Sequence, residues 1–280
     1  MTEIHARKIS SALSRSWLLV SAATSRSFTE PANLGADQLV LDLEDAVDPR
    51  NKDAARTRVA DWLREGGSAW VRVNDRSSAF WSDDIDELCA LPGLRGFMLA
   101  KTESADQVAE TFSRSGSRSP VLALVESALG IENATEIACA PGAFRLAFGS
   151  GDYRRDTGTS ADALAMAYPR SRLVVASRVG GLPGPVDGPT VGSDIGQLRM
   201  DTALTAQLGL TGKLCLVGEH AAIVNDELSP SDSDARWARE FIADFEARDR
   251  EVRDGSDLPR FGRARRIAAL AEEFGVPFVR

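Results

Sequence analysis

The sequence predicts an α/β protein, a (β/α)8 TIM barrel with a C-terminal helical extension. Short aliphatic and β-branched runs alternate with longer helical patterns, as parallel βα units require. The chain holds eight such units in about 220 residues, a length that suits a barrel better than an open sheet. No GxGxxG turn or P-loop is present, which disfavours a doubly wound nucleotide-binding fold.

Eight short runs are the candidate strands, and the seventh has the weakest pattern. In chain order they are Trp17–Ser21, Gln38–Leu43, Ala69–Asn74, Gly96–Ala100, Val121–Val125, Arg145–Gly149, Pro185–Pro189 and Lys213–Val217. Helical patterns follow most of them, such as Asn51–Glu65, Ala105–Ser113 and Thr159–Ser177. Pro169 should break or bend the last helix, because proline lacks the N–H that a helix interior needs. We predict one barrel domain at residues 1–225, including a short N-terminal leader.

Residues 226–280 differ in character, and we interpret them as a helical extension rather than a second folded domain. A turn is expected at Leu228–Pro230. A charged amphipathic helix, a polar loop and a final helix should follow at Asp232–Arg248, Arg250–Pro259 and Arg263–Phe274. Gly275 is placed to end the final helix.

Composition narrows the class of protein. Of the 280 residues, 43% are hydrophobic and 26% charged, which is ordinary for a soluble globular enzyme. The net charge of -8 argues against a nucleic-acid partner, because phosphate binding needs a basic surface. Met1–Ser16 lacks the apolar core of a signal peptide, and every apolar run is shorter than the ~20 residues of a membrane span. We therefore expect a cytoplasmic protein with no membrane partner.

Cysteine and histidine usage excludes several kinds of site. Cys89, Cys139 and Cys215 are far apart and form no CxxC motif, so neither a disulfide framework nor a zinc site is expected. Their apolar surroundings predict packed thiols. Because the chain has only two histidines, a His-rich metal site or a Ser-His-Asp mechanism is disfavoured.

Polar side chains occur where the predicted strands end, which is where TIM barrels carry their functional groups. Three acids follow the second strand, and single polar groups end or follow most of the later strands. These residues are Asp42, Glu44 and Asp45, then Arg72 and Asn74, Lys101, Glu126, Asp152 and Asp187. A lone carboxylate at a strand end is more often a cap or an ion-pair partner than a ligand. A functional role for any of these residues therefore needs a specific chemical argument.

Glu126 and Asp152 form the strongest candidate metal pair. Glu126 follows the apolar run Val121–Val125, where a carboxylate is costly unless a cation or hydrogen bonds compensate it. Asp152 comes one strand later, behind the turn Gly149–Gly151. Mg²⁺ is commonly held by one or two carboxylates, with substrate and water filling the other positions. Ordinary caps or salt bridges remain the alternative.

Arg72 is the candidate anion-binding residue, because a guanidinium can hold a carboxylate through two parallel hydrogen bonds. It could equally pair with Glu44 or Asp45, and both interpretations can hold together. Crowding of Asp42 with these two acids should raise at least one carboxyl pKa and could provide an acid or base. Neutralisation by Arg72, Lys101 or Arg15 is the alternative. We interpret Lys101 as ion-paired and protonated, not as a Schiff-base nucleophile.

Several motifs, in order along the chain, resemble the HpcH/HpaI aldolase/citrate lyase family, in particular its citrate lyase beta-subunit-like branch. The similarity extends from about Arg15 to Phe241. The motifs are Ala36–Val47 followed by Lys52 and Ala55–Arg56, then Val71–Asn74, Leu124–Gly130, Phe148–Tyr153, Gly212–Lys213, Ile223–Asn225 and Ser229–Ser231.

The resemblance implies a TIM barrel that forms homotrimers or multiples of trimers. Glu126 and Asp152 would bind Mg²⁺, and Arg72 would hold the carboxylate of a small oxoacid. Family members cleave or form 3-hydroxyacyl-CoA thioesters such as citryl-, malyl- or citramalyl-CoA, so CoA would be part of the substrate. Asp45 or Glu44 would act as the base or orient it, with Lys101 and Glu126 lining the substrate. Arg15 or main-chain N–H groups would stabilise the enolate.

Two departures from the family pattern keep alternatives open. Leu214–His220 lacks the Ile-His-Pro segment and following Gln that are common after the Gly-Lys pair, and Ala100-Lys101 replaces Pro-Lys. The leading hypothesis is a Mg²⁺-dependent carbon–carbon lyase acting on a CoA thioester. The second is a metal-dependent aldolase on free 2-keto acids, and the third is a non-catalytic partner subunit or binding module.

Overall fold

The computed structural model describes residues 9–23, 28–32 and 34–276. The described residues divide into two compact units, Ser10–Asn225 and a second that contains Ile9 and residues 226–276. Residues 1–8 of the predicted leader lie outside the described residues. Within the described part, none of the helices is both long and apolar enough to cross a membrane.

The first unit is a closed barrel of eight parallel strands, which confirms the predicted fold. Neighbouring strands in the chain are neighbours in the barrel, and β8 closes the ring by pairing with β1 at Ser16 and Lys213. The strands are β1 (Ser16–Ser21), β2 (Gln38–Asp42), β3 (Ala69–Val73), β4 (Leu94–Leu99), β5 (Val121–Val125), β6 (Ala143–Phe148), β7 (Val186–Asp187) and β8 (Gly212–Cys215).

Helices connect the strands, and two more follow the barrel. They are α1 (Thr29–Ala32), α2 (Lys52–Arg64), α3 (Trp81–Leu88), α4 (Ala105–Arg114), α5 (Ala128–Glu132), α6 (Ala134–Ala138), α7 (Ser150–Thr157), α8 (Ala167–Val179), α9 (Ile195–Gln207), α10 (His220–Glu227), α11 (Asp232–Ala247) and α12 (Asp257–Glu273), with a 3-10 turn at Pro49–Asn51 before α2.

The barrel interior is a single apolar cluster with residues from every strand. It contains Trp17, Val40, Trp70, Met98, Leu122, Leu124, Ala147, Val186 and Leu214. Large rings fill the centre, with Trp17 and Trp70 edge to face at 5.4 Å. Side chains alternate between the two faces of a strand, so the residue two positions after each of these in the same strand also faces the barrel interior.

Arg145 of β6 closes the amino end of this interior. Its guanidinium is buried and donates to carbonyl oxygens of Ser14, at 2.9 Å, and Gly184, at 2.6 Å, and to Oγ1 of Thr211 at 2.8 Å. All three partners precede strands, so the arginine crosses the amino ends of β1, β7 and β8. Access to the barrel is therefore left at the carboxyl end.

Some local predictions were wrong. Helix α8 begins only at Ala167, so Pro169 falls in its first turn, where a missing N–H is tolerated, and does not break it. The turn predicted at Gly149–Gly151 is only partly present, because helix α7 begins at Ser150 and runs to Thr157. Only Cys215 is a packed thiol, because Cys139 is exposed and Cys89 is partly exposed.

The second unit contains two antiparallel helices. Helix α11 matches its prediction closely, whereas α12 starts at Asp257, inside the stretch expected to be a loop. Aromatic rings join the two helices, with Phe245 and Phe261 at 4.7 Å. Gly275 has a φ of 65° and follows the end of α12, as the sequence predicted.

Candidate active site

The alternation of side chains brings the candidate polar residues to one end of the barrel. On β2 the interior residue Val40 is followed two positions later by Asp42, and on β3 Trp70 is followed by Arg72. On β5 the inward series continues from Leu124 to Glu126. Each inward face thus changes from apolar to charged at the carboxyl end, where solvent and ligand can reach it.

Arg72 is held by Asp42, its neighbour across the β2–β3 pair. Its Nε and Nη2 donate to the two carboxylate oxygens of Asp42 at 2.7 and 2.6 Å, and its Nη1 lies 3.4 Å from Oε2 of Glu44. This bidentate ion pair fixes the guanidinium plane. Nη1 is therefore the guanidinium nitrogen that Asp42 leaves available, and it faces Glu44.

Glu44, Asp45 and Lys101 form a second charged group. The Lys101 ammonium contacts Oε1 of Glu44 and lies 3.1 Å from Oδ1 of Asp45. Burial opposes the charge of Lys101, but the two carboxylates outweigh it and raise the pKa of its ammonium well above the ordinary range. Lys101 is thus a protonated, ion-paired lysine, unsuited to a Schiff base.

The two acids of this group differ in basicity. Burial raises the pKa of Glu44, and Lys101 only partly opposes that change. Partial burial also disfavours the Asp45 carboxylate, but hydrogen bonds with Glu44 and Lys101 hold the pKa of Asp45 below its ordinary value. The two carboxyls are neighbours and share a hydrogen bond, so they can take up one proton as a unit.

Glu126 is buried, with 5% of its surface exposed. Its Oε1 accepts a hydrogen bond of 2.7 Å from the main-chain N–H of Lys101, whose φ of 48° is unusual for a residue with a side chain. Burial, with a smaller contribution from the charge of Asp152, raises the pKa of Glu126 to about 8 despite this bond. The carboxylate thus lies beside a second negative charge with little compensation.

Gly149 allows this position of Glu126. A Cβ atom at residue 149 would overlap the Glu126 carboxylate, so no larger residue fits without moving it. Asp152 follows in the first turn of α7 and is partly exposed, with one oxygen 3.1 Å from Nη1 of Arg155. Asp152 thus follows β6 after the short Gly-Ser-Gly segment, near enough to Glu126 for its charge to act on that carboxyl.

This pair suits a cation that needs few protein ligands. Among the described residues, no group of three or more His, Cys, Asp or Glu is arranged to hold a metal. Mg²⁺ differs from zinc in commonly taking only one or two carboxylates. A divalent ion between Glu126 and Asp152 would relieve both the burial of the first carboxylate and its repulsion by the second, so the residues present fit Mg²⁺.

Two residues that the sequence suggested as site residues lie away from this site. Arg15 precedes β1, at the amino end of the barrel, where it pairs with Asp37 at 2.9 Å and donates to the carbonyl of Asn225. Asp187 faces the helices, where it binds Arg170 at 2.9 Å and Thr205 at 2.6 Å. The substrate role that the resemblance gave to Arg15 therefore disagrees with its position at the opposite end.

The sequence left the contributions of two residues open. It suggested Glu44 or Asp45 as the ion-pair partner of Arg72 and named Asp42 only as a crowded acid that Arg72 could neutralise, whereas the two-bond partner is Asp42 and Glu44 is a further contact at 3.4 Å. Gly149 appeared only as part of a flexible turn, although its lack of a side chain is what makes room for Glu126. The alternation of inward-facing side chains from Val40 to Asp42 could have indicated that Asp42 lies beside Arg72. No local sequence pattern indicates that Gly149 makes room for Glu126.

The fold and site define a class: a (β/α)8-barrel protein with an acidic site, an arginine and a lysine at its carboxyl end. The sequence profile of the HpcH/HpaI aldolase/citrate lyase family matches residues 15–217, and that of the HpcH/HpaI aldolase C-terminal domain matches residues 233–275. The chain belongs to the HpcH/HpaI aldolase/citrate lyase family, and it is an enzyme of the carbon–carbon lyase class.

Individual relatives agree with this assignment. A citrate lyase subunit beta-like protein of Deinococcus radiodurans is 32% identical over 219 residues, which cover 74% of this chain and 76% of the relative. An L-malyl-CoA/beta-methylmalyl-CoA lyase of Cereibacter sphaeroides is 28% identical, with 79% and 80% covered. The crystal structure of CitE from Mycobacterium tuberculosis with magnesium, acetoacetate and coenzyme A is similar at a TM-score of 0.76 and 26% identity, covering 92% of this chain and 99% of that one.

Burial of Glu126 predicts a pH-dependent change in stability. Its pKa is about 8 in the folded protein against an ordinary value of 4.5, so the folded state holds an extra proton between these values. The stability that this proton supports is complete below pH 4.5 and is lost as the pH rises towards 8. In metal-free buffer, Glu126→Gln should raise the Tm by about 5 °C at pH 8.5 and leave it nearly unchanged at pH 5.

Thermal unfolding of wild type and variant at the two pH values measures this difference. Glu136→Gln, at an exposed position of α6, is the control for loss of one carboxylate and should show no such pH dependence. An equal change in Tm at both pH values for Glu126→Gln would show that its carboxyl is not the group that titrates.

Proposed function

We propose that the chain is a Mg²⁺-dependent carbon–carbon lyase that cleaves or forms a 3-hydroxyacyl-CoA thioester of the citryl-, malyl- or citramalyl-CoA type. The observation that carries the proposal is the buried Glu126 carboxylate beside Asp152, at the same barrel end as Arg72 and the Glu44–Asp45 pair. Support also comes from a relative named for malyl-CoA cleavage and from a neighbour crystallised with magnesium, acetoacetate and coenzyme A.

Glu126 and Asp152 would hold the metal ion. When bound, Mg²⁺ would supply a Lewis acid for the hydroxyl and carboxylate oxygens of the substrate. Arg72, fixed by Asp42, would bind the substrate carboxylate through its Nη1 edge. In the cleavage direction, the Glu44–Asp45 pair would accept the hydroxyl proton. The electron pair of the O–H bond then forms the new carbonyl group of the oxoacid. The electron pair of the breaking C–C bond passes to the thioester, which leaves as an enolate and takes up a proton.

Glu44 is the stronger base of this pair, because its burial raises its pKa, while Asp45 stays ionised beside Lys101. Lys101 keeps both side chains in place and balances the charge that remains after proton transfer. We propose further that the chain acts as a homo-oligomer, a trimer or a multiple of trimers, as the family resemblance implies. The roles given to the residues above do not depend on the number of subunits.

A second candidate function is aldol cleavage of a free 2-keto acid by the same site, without CoA. The segment after β8 favours it, because Leu214–His220 lacks the family's usual Ile-His-Pro sequence. In the structure this loop exposes Leu216 and Val217, and His220 is buried at the start of α10.

The two candidate functions are distinguished by which substrates the protein cleaves. With Mg²⁺ present, purified protein should cleave at least one of citryl-, malyl- or citramalyl-CoA, releasing an acyl-CoA and an oxoacid that chromatography detects. Cleavage of free 4-hydroxy-2-keto acids alone would support the aldolase. If none of these compounds reacts in either direction, the lyase proposal fails and a binding module without catalysis is indicated.

The metal assignment makes a direct prediction. Glu126→Gln and Asp152→Asn should each weaken Mg²⁺ affinity by at least about 100-fold, since each removes one of two charged oxygen ligands. Isothermal titration calorimetry measures the affinity, and circular dichroism shows whether the fold is kept. Asp156→Asn, one turn later on α7, is the matched control and should bind as wild type does. Native affinity in both site variants would remove the metal assignment.

Arg72 should be specific for the geometry of a carboxylate. Arg72→Lys keeps the positive charge but loses the planar fork, so KM for the oxoacid substrate should rise by about tenfold or more. Arg95→Lys, at the amino end of β4, is the matched control, because that arginine donates to Gln38 and Ser68 away from the site. Native KM in Arg72→Lys would mean that Arg72 only supports the fold.

A further inference from the structure

Lys52 is a buried cation outside the proposed reaction. It is the first residue of α2, with 6% of its surface exposed. Its Nζ donates to the main-chain carbonyls of Leu43, at 2.6 Å, and Glu44, at 2.8 Å, and to Oδ1 of Asn74 at 2.7 Å. A neutral amine has only two N–H groups, so these three acceptors require the ammonium form.

The third partner, Asn74, is itself fixed. Its Nδ2 donates to Oδ2 of Asp84 at 2.6 Å, and its main-chain N–H points at the same oxygen. Asp84 is held in turn by Nε of Arg56 at 2.9 Å. The amide oxygen of Asn74 therefore faces Lys52, and the ammonium has one defined position within this buried polar network.

The segment that Lys52 binds is the one that carries Glu44 and Asp45. On one side, the N–H of Glu44 donates to Oδ1 of Asp42 and the N–H of Asp45 to Oε2 of Glu44, at 2.9 and 2.7 Å. On the other side, the carbonyls of Leu43 and Glu44 converge on the ammonium. The main chain at this bend is thus held from both sides.

We propose that Lys52 is a positioning residue for the proton-accepting pair Glu44–Asp45. Its ammonium fixes the two carbonyls beneath the pair and so keeps the Glu44 carboxylate on Lys101 and Arg72. The catalytic consequence rests on the function proposed above for the pair, whereas the structural consequence does not. Without this cation, the Leu43 carbonyl keeps only weaker support from Nδ2 of Asn74, at 3.2 Å, and the Glu44 carbonyl keeps the N–H of Val47, at 2.9 Å. The bend then loses its link to the start of α2 and can move.

Lys52→Met tests the proposal, because methionine keeps the apolar stem and removes the ammonium. Lys213→Met is the matched control: Lys213 is also buried and donates to a carbonyl, that of Gly188, but lies beside Asp187 at β8. In Lys52→Met, kcat should fall about 100-fold, while KM and Mg²⁺ affinity stay within about threefold. In Lys213→Met, kcat should stay within about threefold of wild type even if stability falls.

Crystal structures of the two variants give a readout that does not depend on turnover. The Glu44 carboxylate should leave Lys101 and Arg72 in Lys52→Met and stay on them in Lys213→Met. If Lys52→Met does not fold, Asn74→Ala removes one ammonium partner and should lower kcat about tenfold with KM unchanged. An unmoved Glu44, or a parallel loss of kcat, KM and metal affinity in both lysine variants, would overturn the proposal. Absence of turnover in wild type with a displaced Glu44 in Lys52→Met would refute only the proposed function.

Discussion

The placement of one carboxylate, that of Glu126, beside a second one from Asp152 is the constraint on which the site depends. A buried carboxyl next to a negative charge is unfavourable when ionised, and the pKa of about 8 expresses that. The surroundings maintain this position: the N–H of Lys101 binds one oxygen, and the missing side chain of Gly149 leaves room for the other. We propose that a carboxylate held this way binds a cation.

The other charges around the barrel mouth are paired in ways that leave this carboxylate uncompensated. Arg72 is committed to Asp42, and Lys101 to Glu44 and Asp45, so neither cation neutralises Glu126 directly. At the opposite end Arg145 closes the interior with carbonyl and hydroxyl partners. The fold thus has one open end, where Arg72, the Glu44–Asp45 pair and the Glu126–Asp152 pair lie. We propose that these bind an anion, accept a proton and bind a cation, which are the functions that retro-aldol or retro-Claisen chemistry needs.

Much of this arrangement follows from the sequence, because parallel strands of a barrel must bring their carboxyl ends together. Glu126 and Arg72 could be located from the apolar runs that precede them. What the sequence does not contain is the register between strands, which sets Asp42 opposite Arg72. The sequence also does not show which side chain of the two-residue strand β7 faces the barrel interior. In the structure Asp187 points towards the helices instead of the site. Arg15 precedes its strand, so it lies at the opposite end of the barrel whatever its chemistry.

A crystal of the protein soaked with Mg²⁺ and oxaloacetate tests the central claim most directly. The account predicts one ion bound by an oxygen of Glu126 and an oxygen of Asp152 at about 2.1 Å, with the oxoacid completing its coordination. Carboxyl groups too far apart to share an ion, or an ion bound elsewhere with Glu126 turned into the packed interior, would contradict it.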